Sequence, residues 1–477
     1  MSYWNLGPLA PDRPARLNDG LLRTADGVYP LPDGYRPGGS WEVDFTALAA
    51  APKGAAAFTN RQGVGSIIAG TQTTLYKAYG TGWQSIKTGF STQGNQRWRF
   101  AQFGDVGIAT NGADPMQEID LTDLTVTPLA GSPPKAEILA VVNDFLFAGV
   151  VDGDALQVRW SGRNDARWWT PAQRFSDFQT LPDGGRVNGI LSGEYGIILQ
   201  RNAIRRVDFV GGNTVFAFSV VSNNVGCLTV HSVAQWGRLG FFLSDNGFMM
   251  WDGQQVIPIG QEEINREFFA AYDAEDWANM STAVDPNNDC VMWSINGKIY
   301  LYNWVLKRWT TVTYTAPIVF SGVTKGISVD EQDEGVGALD DDVDGVGLVS
   351  MDDATFKGGT PQFFVFSSSG ALGQFSGSPM AATFVGNDLE IVPRRSTRLK
   401  WSRPDVDAGS GITLSFLQKQ TLASTGTSTS FTSLQSLGHI PTRVQARYLR
   451  PTMLISSGTS WSFAKGVEFD FAAGNGR

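Results

Sequence analysis

The sequence predicts an all-β protein: a β-propeller carrying an N-terminal extended arm and a small C-terminal β-sandwich-like domain. Three observations lead there. A unit of apolar strand, Gly/Asn/Asp turn, apolar strand, second turn and third strand recurs along the chain. The composition suits such a unit, with 55 Gly and 22 Pro among 477 residues, 12% aromatics and only 17% charged side chains. Gly supplies the positive φ that tight turns need, while β-branched and aromatic side chains fill pleated, half-buried surfaces. Helical periodicity, finally, is confined to one short segment.

Residues 1–53 are rich in Pro and Gly and lack a period, so they read as an extended arm. Turns are expected at Asp33-Gly34 and Gly38-Gly39, with Trp4, Tyr35 and Trp41 as anchors to a neighbouring surface. Residues 54–384 carry the propeller. Its repeat is clearest at 65–86, 104–119, 143–162, 195–212, 240–259 and 290–312, with a shorter copy at 361–377. Most copies start roughly 40–50 residues apart, the spacing of four-stranded blades. A blade with two apolar faces can bury neither alone, and a ring of blades buries both. The count predicts six blades and leaves seven open, the short copy completing a blade with another segment.

One helix is expected over 262–280, with Ile264, Phe268, Phe269 and Tyr272 on one face. An acidic insertion over 326–360, DEQDEGVGALDDDVDGVGLVSMDD at its centre, reads as a surface loop. The last segment, 385–477, alternates as short strands between Ser/Thr/Gly loops and reads as an antiparallel sandwich or jelly roll.

The chemistry-bearing residues argue against an enzyme. There are only two histidines, His231 and His439, with no ligand-spaced partners, so no zinc site is expected. His231 reads as a packed or turn histidine. No G-x-S-x-G, Walker loop or G-x-G-x-x-G opening a helix occurs. With 46 acidic residues, carboxylate pairs for glycoside hydrolysis are guaranteed and uninformative. SDNGFMMW (244–251) is similar to the Asp-box of propeller sialidases. It lacks the regular spacing, and such enzymes also need arginines clustered around the sugar carboxylate. Asp245-Asn246-Gly247 reads better as a hairpin turn, with Trp251 packed between blades. Trp293, Trp304 and Trp309 read as core.

Asp340, Asp342, Asp344 and Gly345 fit the D-x-D-x-D-G start of a calcium loop, but the twelfth position is Met351 rather than a bidentate Glu. A solvated acidic loop is the expectation, with Asp340, Asp342 and Asp344 as a weak metal candidate and no cofactor. Cys227 and Cys290 are expected to be buried thiols in a reducing compartment. The N-terminal MSYWNLGPLAPDRP has no basic stretch followed by an apolar run, and no 18-residue apolar stretch occurs. These features predict cytoplasmic synthesis without a signal peptide or membrane span. A net charge of −9 argues against a duplex-DNA reader, which needs a basic face.

Several segments point to one family. They are GYRPGG (34–39) after a Pro-rich arm, IILQRNAIRRVDFVGG (197–212) and FFLSDNGFMMWDGQQVIPIG (241–260). KIYLYNWVLKRWTTV (298–312) and the closing RYLRPTMLISSGTSWSFAKGVEFDF (447–471) complete the set. In these the chain resembles the tail hub, or nozzle, proteins of short-tailed bacteriophages, also called packaged-DNA stabilisation proteins. The acidic insertion departs from that pattern. The resemblance implies a virion tail protein, assembled in the host cytoplasm as a homohexameric ring below the portal and its adaptor. Such a ring continues the DNA channel, helps retain the packaged genome, and supports tailspikes or fibres, without catalytic residues or sequence-specific DNA contacts.

Six copies at −9 each give about −54, which suits a bore that DNA slides through, since like charges leave no sticking points. The local basic residues Arg205, Arg206, Arg394, Arg395, Arg443, Arg447 and Arg450 are then interface candidates, facing acidic surfaces on neighbouring subunits or the adaptor. The alternatives are a receptor- or glycan-binding propeller module of a tail fibre, and a propeller hydrolase.

Overall fold

The computed structural model describes residues 2–473 apart from 16, 213 and 327–357. The fold is all-β, with a propeller at its centre. Its strands form antiparallel four-stranded units over residues 54–88, 99–128, 136–180, 187–222, 234–258 and 281–313, and over 318–374 together with Glu42–Ala47. Six of these units stand as separate sheets, the six-blade arrangement the sequence predicts, and one further unit corresponds to the seventh that the sequence left open. The unit over 281–313 is continuous with a nine-stranded sheet that runs on into the C-terminal domain, and it takes a seventh place in the ring.

The ring exists because the middle strands are apolar on both faces. Phe145–Val151, Gly196–Gln200 and Cys290–Ile295 are buried along their whole length. Neighbouring units therefore share apolar clusters. Phe58, Ile68 and Leu75 meet Trp98, Ala109 and Ile119 across the first joint. Phe145, Phe147 and Trp160 meet Ile198, Val207 and Phe216 across the third. Trp251, the anticipated packing residue, meets Leu191 and Leu199 across the fourth. Two-residue hairpins reverse the strands: Asp245-Asn246 lie between paired Ser244 and Gly247, and Gly247 adopts φ +103. At Gly70 the limit is space, since a Cβ would sit 2.2 Å from the Trp98 ring.

Closure of the ring is not covalent. The last unit takes its inner strand, Ile318–Val323, from before the acidic insertion and its next two, Pro361–Phe366 and Ala371–Gln374, from after it. Its outermost strand is Glu42–Ala47, pairing Phe45 with Leu372 and Glu42 with Gln374. Splitting the unit across three segments made the 361–377 repeat look short. Phe45, with Ile318, Phe364 and Phe366, then packs on Ile67, Ala69 and Ala78 of the first unit.

The N-terminal stretch read as an arm is a set of strands. Ser2–Asn5 and the hairpin Val28–Pro30/Tyr35–Pro37 join a seven-stranded sheet with Thr397–Val406 and Ala464–Ala473. Leu22–Asp26 pairs with Ala382–Gly386 in the nine-stranded sheet. These two sheets form the C-terminal sandwich, with Phe416 and Phe469 ring centroids 5.8 Å apart between them. Trp4 and Tyr35 are buried in this core rather than held for another surface, and the Tyr35 hydroxyl donates to the Gly7 carbonyl (2.7 Å). Trp41 Nε1 donates to the Val365 carbonyl of the last propeller unit.

Propeller and sandwich meet where Asp26 pairs with Thr311. The Asp26 carboxylate accepts from Thr311 Oγ1 (2.7 Å) and Thr313 Oγ1 (3.0 Å). Arg308 reinforces the junction by donating to the Leu31 carbonyl (2.6 Å) and lying over the Tyr35 ring.

The single helix expected over 262–280 is two, Asn265–Ala271 and Ala274–Trp277. Asp273 breaks it: its carboxylate caps the second helix in a reciprocal capping box with Asp276. The first helix lacks a side-chain cap of its own, and Asp12 supplies one, accepting from the Arg266 and Glu267 amides. Phe268 is buried against Phe248 and Tyr300, and Trp293 and Trp309 share that cluster. Cys227 and Cys290 are free and buried. Among the described residues no helix is long and apolar enough to cross a membrane.

Phe45→Ala is expected to cost about 3–5 kcal/mol, because it empties the last joint of the ring. Urea unfolding measures the effect, and a midpoint equal to that of the wild type would contradict the closure described here.

Candidate functional site: the mouth of the propeller axis

The inner strands begin around one end of the axis, and polar side chains gather there. The segment Arg97-Trp98-Arg99 enters the inner strand of the second unit with side chains alternating. Trp98 turns into the joint with the first unit, 3% exposed, and its Nε1 donates to the Thr71 carbonyl (2.8 Å). Arg97 and Arg99 both line an axial cavity of about 410 Å³. Glu137, Arg186, Asn188 and His231 also line it, drawn from the next units round the ring. Neighbouring cavities share Arg97, one reaching Lys53 and the other running down between the inner strands.

Each cation is held in place. Arg97 donates through Nη1 to the Met280 carbonyl (2.7 Å) and through Nη2 to that of Asn279 (2.8 Å). Arg99 Nη2 donates to the Val230 carbonyl (3.1 Å) and lies 3.0 Å from His231 Nδ1. Arg186 is ion-paired with Glu137, and Arg201, also at the mouth, with Asp245.

His231 sits in a short turn, Val230–Ser232, capped by the Thr229 hydroxyl, and is 8% exposed. Burial, and then the charges of Arg97 and Arg99, push its imidazole down to about 2. The ring is therefore neutral, with Nδ1 accepting from Arg99 and the proton assigned to Nε2. Burial also lowers both guanidinium groups, Arg97 to about 9 with repulsion from Arg99 adding to the effect, and Arg99 to about 10. Both stay charged at neutral pH.

The chemistry of this mouth suits recognition of negative charge. Glu137 is the one carboxylate among its lining residues, and Arg186 occupies it. A pair of carboxylates for acid–base hydrolysis is not assembled there. Arginines gather there instead, Arg97, Arg99, Arg186 and Arg201, none of which the sequence reading singled out. The available signal was Arg-Trp-Arg at strand period.

The residues singled out as interface candidates are dispersed. Arg205 is 7% exposed, ion-paired with Asp183, and donates to Gln200 Oε1 (2.8 Å). Arg206 pairs with Asp208 and lies over the Tyr195 ring at 4.0 Å. Arg447 pairs with Glu390 (3.2 Å), and Arg450 grips Asp388 through two bonds of 3.0 Å. Arg394, Arg395 and Arg443 are exposed on the sandwich. Asp340, Asp342 and Asp344 lie outside the described residues. Among the described residues no three His, Cys, Asp or Glu side chains converge so as to hold a metal ion.

No family model matches the chain, and no curated protein matches it either. Similar solved structures include the Pan2 WD40 domain of Neurospora crassa, at 8% identity and TM-score 0.39, covering 58% of this chain and 88% of that one. Another is BBS1N, crystallised in complex with ARL6DN, at 10% identity and TM-score 0.39, covering 70% and 96%. A third is the extracellular domain of BT4673 from B. thetaiotaomicron, at 9% identity and TM-score 0.42, covering 84% and 46%. Function is not carried over from likenesses of this size.

His231 gives the site a pH signature. Its folded value lies below its unfolded value of 6.5, so the unfolded chain takes up the proton first as pH falls. Stability is unaffected by His231 above that value and is lost below it, at about 1.4 kcal/mol per pH unit. Between pH 6.5 and about pH 5 the wild type is expected to lose about 2 kcal/mol more than His231→Asn. Urea titrations of both proteins at the two pH values check this, and equal losses would place the imidazole in a solvated setting.

Proposed function

We propose that this chain is a non-catalytic subunit of a short bacteriophage tail, forming a homohexameric ring below the portal and its adaptor. In that place it continues the DNA channel, helps retain the packaged genome, and supports tailspikes or fibres. The sequence resemblance names the assembly. The observation that carries the reading is mechanical. Propeller and sandwich share one nine-stranded sheet, and N-terminal strands are stitched into both. The two cannot separate without breaking backbone hydrogen bonds, which suits a subunit loaded by packaged DNA and by appendages. The charge of −9 per chain fits a bore that does not bind duplex DNA.

A glycan- or receptor-binding module of a tail fibre is the second reading, favoured by the cationic axial mouth. The two differ in what they need from oligomerisation. Electron cryo-microscopy of the purified protein, alone and with candidate portal and adaptor proteins, is expected to give a six-fold ring with an open channel. A chain that stays monomeric with every partner would overturn the tail reading, and glycan binding by that monomer would favour the second.

Arg394 and Arg395 are the interface cations to test. Both are exposed, and the Arg394 amide is fastened to Glu390 Oε1 (3.0 Å), so reversing the side chains leaves that backbone contact intact. Arg394→Glu with Arg395→Glu is expected to weaken ring assembly by about tenfold, read by light scattering over a dilution series. Assembly equal to wild type removes them from the interface.

A further inference from the structure

Three adjoining cavities meet at Arg97, where cationic side chains gather. Among the described residues no carboxylate forms an ion pair with Arg97 or Arg99, although both are half-buried. Glu137, whose charge reaches Arg99, is itself bonded to Arg186. Lys53, lining the adjoining cavity, donates to the Gly94 carbonyl (2.7 Å) and has its ammonium pushed down by burial and by Arg97. Like charges set together at low solvent access are costly unless something offsets them.

We propose that the axial mouth of the propeller binds a compact polyanion, whose phosphate or carboxylate groups are held by Arg97 and Arg99 with Lys53 at the rim.

Five features of the site fit that ligand. A guanidinium carries five N–H donors. Among the described residues Arg97 gives only Nη1 and Nη2 bonds, to the Met280 and Asn279 carbonyls, and Arg99 bonds only through Nη2, so both keep donors for a ligand. Those contacts also fix each group in advance, which lowers the ordering cost of binding. His231 holds Arg99 as a neutral acceptor, so the positive charge is positioned without being cancelled. The cavity of about 410 Å³ has the size of a small-molecule site. Planar guanidinium groups match both phosphate and carboxylate oxygens.

The test needs only the intact chain in any oligomeric state, so its failure and the failure of the tail reading are separate outcomes. Calorimetric titrations use pyrophosphate and citrate in turn, at constant ionic strength, against a chloride control. Saturable binding of one ligand per chain is expected from at least one probe. Pyrophosphate alone assigns a phosphorylated ligand, and citrate alone a carboxylate one. Arg97→Gln and Arg99→Gln are each expected to weaken binding about tenfold or more. Glu137→Gln, which frees Arg186, is expected to tighten it severalfold, a gain that damaged folding does not produce. Neither probe binding beyond the chloride control overturns the proposal. So does wild-type affinity in Arg97→Gln and Arg99→Gln, or weaker binding in Glu137→Gln.

Discussion

Each propeller unit is a sheet with two apolar faces, and every other feature of the molecule follows from the need to cover both. A sheet such as 136–180 packs Phe145 and Phe147 against the next unit and Leu146 and Ala148 against the previous one. A row of such sheets ends in two bare faces, and only a closed ring removes them. Closure falls to the last joint, whose unit is built from segments far apart in the sequence. The strand Glu42–Ala47 makes it by pairing with Ala371–Gln374. Loop-closure entropy rises only slowly with loop length, so a partner from the far end of the chain is tolerated.

Using the N-terminus as the clasp ties the sandwich to the ring. The residues before the clasp have already crossed the sandwich: Ser2–Asn5 lies beside Ala464–Ala473, and Leu22–Asp26 beside Ala382–Gly386. The clasp cannot leave without pulling on those strands. Asp12 extends the coupling to the helix between two blades, capping it from the arm. Beneath that helix, Phe248, Phe268, Trp293 and Trp309 form one aromatic cluster spanning two units and the connection between them. The shared sheet and this cluster give the unit over 281–313 neighbours on its outer edge as well as on its faces.

How much of this could be read from the sequence depends on how local the signal was. Repeats were legible because middle strands such as Phe145–Val151 are apolar throughout and lie beside their own turns. Outer strands were not: Val126–Pro128 and Val256–Pro258 are three residues long and largely open to solvent, and Glu42–Ala47 belongs to a blade far along the chain. The arm hid its strands for the same reason, since Tyr35–Pro37 reads as a turn until Ala464 is beside it. The helix break at Asp273 was legible in principle, as a capping residue with an acid three positions on. The basic residues misled because charge was visible while partners were not. Arg205 meets Asp183, and Arg450 meets Asp388, only after folding. At the axial mouth the converse held, because Arg97, Lys53 and His231 come together only when the ring closes.

The arrangement around Arg99 shows how an acidic chain keeps a positive centre. A carboxylate in the place of His231 would hold the guanidinium equally well, but would cancel its charge and leave nothing for a ligand to feel. A protonated imidazole would repel it. A neutral imidazole does neither: it accepts one bond through Nδ1, and burial together with the neighbouring arginines keeps the second proton off. Backbone carbonyls act in the same way on Arg97, as dipoles that orient without neutralising. Where Glu137 does bring a negative charge to the mouth, Arg186 is set against it. Orientation by neutral acceptors, with the one lining carboxylate already paired, is what leaves Arg97 and Arg99 their charge in a chain whose net charge is −9.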